Sequence, residues 1–233
     1  MLVGLRDRIR DPALTTLLGL ELCLIFLAVP LAAKGVTIAK PVVETMVLAT
    51  IAVVVMLSPK RGAVAAIFVG FAALVASLSL DGGSSPIPPR VLHWGGDIVT
   101  FLALIWVVGH AVYAPGRITF HRLRGAAVVY LNVAIVFTAA FSLIWELNPA
   151  AFAGVPTASD DVVAEFATMI YFSLTSLTTT GYGDIAPLDP FARSLANFES
   201  AIGVFYIALT VARLVTLELE DRRLAAETRA RRT

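Results

Sequence analysis

The residues whose types and spacing carry chemistry are Thr178-Thr179-Thr180-Gly181-Tyr182-Gly183-Asp184, where a threonine run leads into two glycines flanking one aromatic. Glycine adopts φ of either sign at little cost, so a backbone with alternating glycines can turn several successive carbonyls toward one side. A column of carbonyl oxygens replaces the water shell of a potassium ion, and a threonine hydroxyl beneath it adds one more oxygen at the inner end. The chemistry legible here is coordination of a dehydrated cation, with no covalent step, and no enzymatic activity is expected.

The elements that must hold these residues are membrane helices. Hydrophobic residues make up 58 % of 233 residues, against roughly 45–50 % in soluble proteins. The mean hydropathy is +0.84. Net charge is +1, which implies no polyanion-binding surface and no nucleic-acid partner. The single cysteine, Cys23, lies in an apolar run and excludes an intrachain disulfide. Apolar runs at about 13–33, 42–58, 63–80, 97–114, 125–147 and 191–217 are read as six spanning helices. The run at 162–178 is too short to cross and is read as a re-entrant helix feeding the Thr-Gly-Tyr-Gly stretch. The Gly-, Pro- and Ser-rich segment 81–96 is read as a loop, and 117–124 as a short amphipathic helix lying at the membrane surface.

Basic residues set the orientation. With both termini cytoplasmic, the inner side receives Arg6, Arg8, Arg10, Lys60, Arg61, Arg117, Arg122, Arg124 and the C-terminal arginines. The outer side then holds only Lys34, Lys40, Arg90 and Arg193, and the glycine-tyrosine-glycine stretch faces outward.

The stretch Thr179-Thr180-Gly181-Tyr182-Gly183 resembles the selectivity filter of the tetrameric potassium channels, and the resemblance covers roughly 125–217. It implies an all-α membrane protein with six transmembrane helices, a re-entrant pore helix and a filter, assembled as a fourfold-symmetric homotetramer. By that resemblance the carbonyls of Thr179, Thr180, Gly181 and Tyr182 line the potassium sites, the Thr179 hydroxyl closes the innermost one, and Gly183 allows the outermost turn. Thr180 stands where Val or Ile is frequent in the family and keeps the β-branched shape. Asp184 follows the filter. The two pore-helix positions that carry a carboxylate or tryptophan partner for this aspartate in several members hold Thr175 and Tyr171, and Tyr171 is the better candidate. Gly203 has the spacing of the inner-helix hinge glycine, though a close helix contact accounts for it equally well. Val204, Ile207, Val211 and Val215 share a stripe with Ser200 that suits the cavity and an apolar gate. Glu199, costly inside a membrane helix, is expected to bond the pore helix rather than to face the cavity.

The resemblance divides the chain into a four-helix, voltage-sensor-like domain at 1–116, a linker at 117–124, a pore domain at 125–217 and a charged cytoplasmic tail at 218–233. The fourth helix, read from Asp97, holds no Arg or Lys; steep voltage dependence needs roughly 3–4 charges per subunit. Intrinsic voltage sensing is therefore expected to be weak or absent. No cofactor is expected beyond potassium as permeant ligand, and the partners are other copies of the chain and membrane lipids, in the cell (inner) membrane. His93, His110 and His121 lie on separate segments and suggest no zinc site. The alternatives are a non-selective cation channel or a non-conducting subunit of the same fold. A remote one is an intramembrane aspartyl protease of the Gly-x-Gly-Asp type, which would pair Asp184 with Asp97.

Overall fold

The computed structural model describes residues 2–58, 61–80, 88–113, 120–156 and 161–230. Helix α1 (Leu2–Cys23) passes through one π turn (Leu24–Ala28) into α2 (Val29–Ala33). Pro30 lies just beyond that turn and has no N–H to continue the α pattern. There follow α3 (Ala39–Leu57), α4 (Arg61–Leu80), α5 (Pro89–Val112), α6 (Phe120–Leu147), the short α7 (Val162–Leu177) and the long α8 (Pro190–Ala230). Four stretches among the described residues are long and apolar enough to cross a membrane: Ala13–Ala33, Pro89–His110, Leu123–Leu147 and Pro190–Arg213. The chain is thus a mostly helical, multi-pass membrane protein.

Two expected boundaries move. Segment 81–96 is not all loop: 81–87 lie outside the described residues, but Pro88 is the N-cap of α5 and Pro89 its first residue, where a fixed φ and a missing N–H cost nothing. Gly96 then sits inside the helix because α4 crosses it closely; a Cβ there would stand 2.7 Å from the carbonyl oxygen of Gly70. Small residues allow this backbone approach in membrane helices. Likewise, of the surface helix expected at 117–124, residues 117–119 fall outside the described set and Phe120–Arg124 are the first turn and a half of α6. The charged tail extends α8 as one helix to Ala230.

One apolar core crosses residue 116. Leu14 and Leu17 of α1, Leu104, Val107 and Val108 of α5, Val128, Ile135 and Ala134 of α6, and Ile170 and Leu177 of α7 are all buried in one cluster. Within it, the Asn132 amide of α6 donates to the Glu21 carboxyl of α1 at 2.6 Å, both residues 1 % exposed. A second cluster of aromatics, Phe137, Phe141, Trp145, Phe152 and Phe172, packs the C-terminal half of α6 against α7 and the strand β1 (Phe152–Ala153). These two clusters fix the direction and depth of α7.

Candidate functional site

Helix α7 begins at Asp161, whose carboxylate caps it by accepting from the Val163 N–H at 3.1 Å. Lys40, in the first turn of α3, binds the same aspartate at 2.9 Å and holds its carboxyl below the usual range. One turn on, the buried Glu165 accepts from Arg90 Nη1 of α5 at 2.6 Å, with Glu146 of α6 3.6 Å from the same nitrogen. Two of the four cations expected on the outer side are thus anchored to the start of α7. Arg193 donates to the Pro187 carbonyl at 2.9 Å.

The C-terminal end of α7 organises the Thr178–Asp184 stretch. The N–H groups of Thr179, Thr180 and Gly181 turn back to the helix, donating to Ser176 O at 2.9 Å and to Thr175 O at 2.8 and 3.1 Å. Thr179 has φ 57°, Gly181 φ 55° and Gly183 φ 80°, while Thr180 and Tyr182 between them keep the ordinary sign. With the donors consumed on the helix side, no hydrogen bond among the described residues reaches the carbonyls of Thr179, Thr180, Gly181 or Tyr182. A β-branched residue at positive φ is strained by about 1–3 kcal/mol and persists only where the surroundings hold it. The Thr180 hydroxyl lies 2.8 Å from that of Thr178, which in turn donates to Leu174 O at 2.7 Å, so it too faces the helix.

At the C-terminal end of the stretch, the Tyr171 hydroxyl donates to Asp184 Oδ2 at 2.7 Å, and the Tyr171 and Tyr182 rings stack with centroids 6.1 Å apart. Thr175 does not reach Asp184; its hydroxyl donates to Phe172 O at 2.9 Å, and its carbonyl receives the N–H groups of Thr180 and Gly181. Asp97, by contrast, lies 3.7 Å from His93 on α5, so the two aspartates are engaged with different partners.

On α8, Glu199 is fully buried and bonds the Ser173 hydroxyl of α7 at 2.5 Å. Ser200 donates to Ser176 O at 2.9 Å. Gly203 packs on the end of α7: a Cβ there would stand 2.0 Å from Leu177 O, and α8 runs unbroken through it. The close contact, not a bend, accounts for the glycine in this conformation. Val204, Ile207, Val211 and Val215 form an exposed apolar stripe on the single chain.

Four supports were not foreseen from the sequence. Ser173 of α7 is the partner of Glu199, although a serine in an apolar run carries no distinguishing signal. Strand β1 (Phe152–Ala153) pairs antiparallel with β2 (Ala186–Pro187), tying the chain after the filter to the loop before α7. Gly154, at φ 80°, lets that loop approach so closely that a Cβ would overlap Asp184 O. Finally, Tyr113 at the end of α5 lies 3.1 Å from the Thr210 hydroxyl of α8 and receives Arg213 on its carbonyl at 3.3 Å.

Residues 126–219 match a family model described as an ion channel. The match runs from within α6 into α8, so it contains α7, the Thr178–Asp184 stretch and Glu199 but not Lys40, Arg90 or Tyr113, and it supports ion channel activity. No curated protein and no solved structure matches the chain.

Proposed function

We propose that four copies of this chain form a potassium-selective channel, with Thr179, Thr180, Gly181 and Tyr182 lining the ion sites through their carbonyls. The observation that carries the reading is the alternation of φ sign from Thr179 to Gly183 with the N–H groups held by α7. Alternating handedness turns successive carbonyls to one side, and four such columns around an axis offer a dehydrating cation only oxygen. Helix α7 ends at this point, and the negative end of its dipole favours a cation in the cavity below. Thr179 faces that cavity and Asp184 the outside, with both termini cytoplasmic in the cell membrane. The apolar stripe Val204, Ile207, Val211 and Val215 lines the cavity and closes the inner mouth. The helices at 1–116 complete a six-helix subunit.

Voltage is not the stimulus in this reading. Helix α5 starts earlier than the sequence suggests and so includes Arg90, but this single cation is paired with Glu165. Roughly 3–4 moving charges per subunit are needed for steep gating.

The test is ion flux from liposomes containing the full chain, with reversal potentials in opposing potassium and sodium gradients. Potassium-selective flux, abolished by Gly181→Ala and by Tyr182→Ala, is expected. Equal permeation of sodium would replace this reading with the non-selective one, and undiminished flux in both variants would remove the filter assignment.

A further inference from the structure

Three consecutive threonines, Thr178, Thr179 and Thr180, carry one side chain into three different settings. Thr178 closes the C-terminal end of α7, and its hydroxyl donates to Leu174 O at 2.7 Å. The Thr180 hydroxyl lies 2.8 Å from that of Thr178. A hydroxyl has one proton to give, and a carbonyl oxygen can only accept. The Thr178 proton therefore points at Leu174 O, and the proton between the two hydroxyls belongs to Thr180. The direction of the chain is fixed: Thr180 donates to Thr178, and Thr178 to the helix. The Thr179 hydroxyl, between them in sequence, has no hydrogen bond among the described residues.

Thr180 is thus held to α7 at two points. Its N–H donates to Thr175 O at 2.8 Å, and its hydroxyl reaches Leu174 O through Thr178. These two carbonyls are neighbours on the last turn of the helix. Thr179 is held there by its N–H alone, which donates to Ser176 O, and Gly181 by its N–H alone, which shares Thr175 O. With N–H and side chain of Thr180 both tied back, its carbonyl is the group left to turn elsewhere, and its direction follows from the other two.

We propose that Thr178 and the Thr180 hydroxyl set the ion preference of the filter, by fixing the Thr180 carbonyl relative to α7 so that it cannot close on a cation smaller than potassium. Sodium is rejected on size only where the oxygens cannot follow it inward. Thr178 lines no ion site and acts through Thr180, as a positioning residue. Threonine at 180 is then no stand-in for valine or isoleucine: the same branched shape without the hydroxyl leaves the residue held at one point. This rests on the channel reading and deepens it by naming what sets the selectivity.

The experiment sets shape against hydroxyl. The full chain and its variants are reconstituted in liposomes, and the potassium-to-sodium permeability ratio is taken from reversal potentials. Thr180→Val keeps the branched shape and removes the donor, whereas Thr180→Ser keeps the donor and removes the methyl. The ratio is expected to fall roughly fivefold in Thr180→Val, the size of one lost hydrogen bond, and to lie above that value in Thr180→Ser. Thr178→Val removes the acceptor, while Leu174 O keeps the Thr178 N–H at 3.0 Å; the same fall is expected. The double valine variant should fall no further than either single one, because both act on one chain of hydrogen bonds. Thermal midpoints of the purified proteins should show the same lack of additivity. An unchanged ratio in Thr180→Val, or a lower ratio in Thr180→Ser than in Thr180→Val, would overturn the inference and leave the channel reading intact. Additive losses in the double variant would do the same. Should Thr180→Val fail to assemble, the ratio in Thr178→Val decides. An unaltered chain that passes no potassium, or passes sodium equally, fails the channel reading itself; coupled midpoints would then show the hydrogen-bond chain present without a part in selection, which overturns the inference as well.

Discussion

Replacing Gly203 with alanine separates a packing role from a hinge. The added Cβ would lie 2.0 Å from the Leu177 carbonyl oxygen and 2.9 Å from its carbonyl carbon, where ordinary contact begins at 3.4 Å. The clash is with backbone, so no rotamer change relieves it. Either α8 retreats by about 1.4 Å or the end of α7 does. Leu177 is two residues from Thr179, whose positive φ already stores strain, so displacement of α7 displaces the start of the Thr179–Gly183 stretch. Overpacking of a close-packed interior costs typically 1–3 kcal/mol. In a tetramer the penalty recurs in each chain, for about 4–12 kcal/mol in all. Thermal stability of the purified assembly and potassium flux from liposomes are the measurements. Gly203→Ala is expected to lower the melting temperature and abolish flux together. A Gly203→Ala protein that melts normally but opens less readily would refute the packing argument and restore the hinge.

Three further outcomes follow from individual contacts. Tyr171→Phe removes the only side-chain donor to Asp184 among the described residues; potassium flux should start normally and decline faster during sustained conduction, and an unchanged time course would separate this bond from filter stability. Ser173→Ala leaves Glu199 without its described partner in a buried site, and a loss of about 1–3 kcal/mol in thermal or denaturant unfolding is expected; Glu199→Leu in the same background should recover part of it, since both polar groups are then gone. The Lys40–Asp161 pair is an acid-sensitive contact. Because Lys40 lowers the Asp161 carboxyl below its ordinary 3.8, the pair's contribution is present above that value and fades as pH falls through the lower, folded-state value. At this partly exposed site it is worth about 0–1 kcal/mol, so Lys40→Met should slightly reduce stability at pH 7 and make no difference near pH 2.

The composition and apolar runs determined that the chain is a helical membrane protein, because a segment of about 20 apolar residues has no better place than a bilayer. The Thr-Gly-Tyr-Gly stretch stood out because glycines on either side of an aromatic let the backbone turn its carbonyls to one side. Tyr171 as partner of Asp184 was read from the resemblance, and a partner on α7 for Glu199 from the cost of a carboxylate inside a membrane helix. What the sequence did not contain was the distance between segments far apart in it. Pro88 and Pro89 look like loop residues until one sees that they sit at the only helix positions that tolerate them. Gly203 reads equally as hinge or contact until the Leu177 carbonyl is found against it. Lys40 and Arg90 look like exceptions to the charge bias of the outer loops. Only the packing of α3 and α5 beside α7 shows that they meet Asp161 and Glu165, where attraction falls off with distance and proximity in space alone decides the pairing.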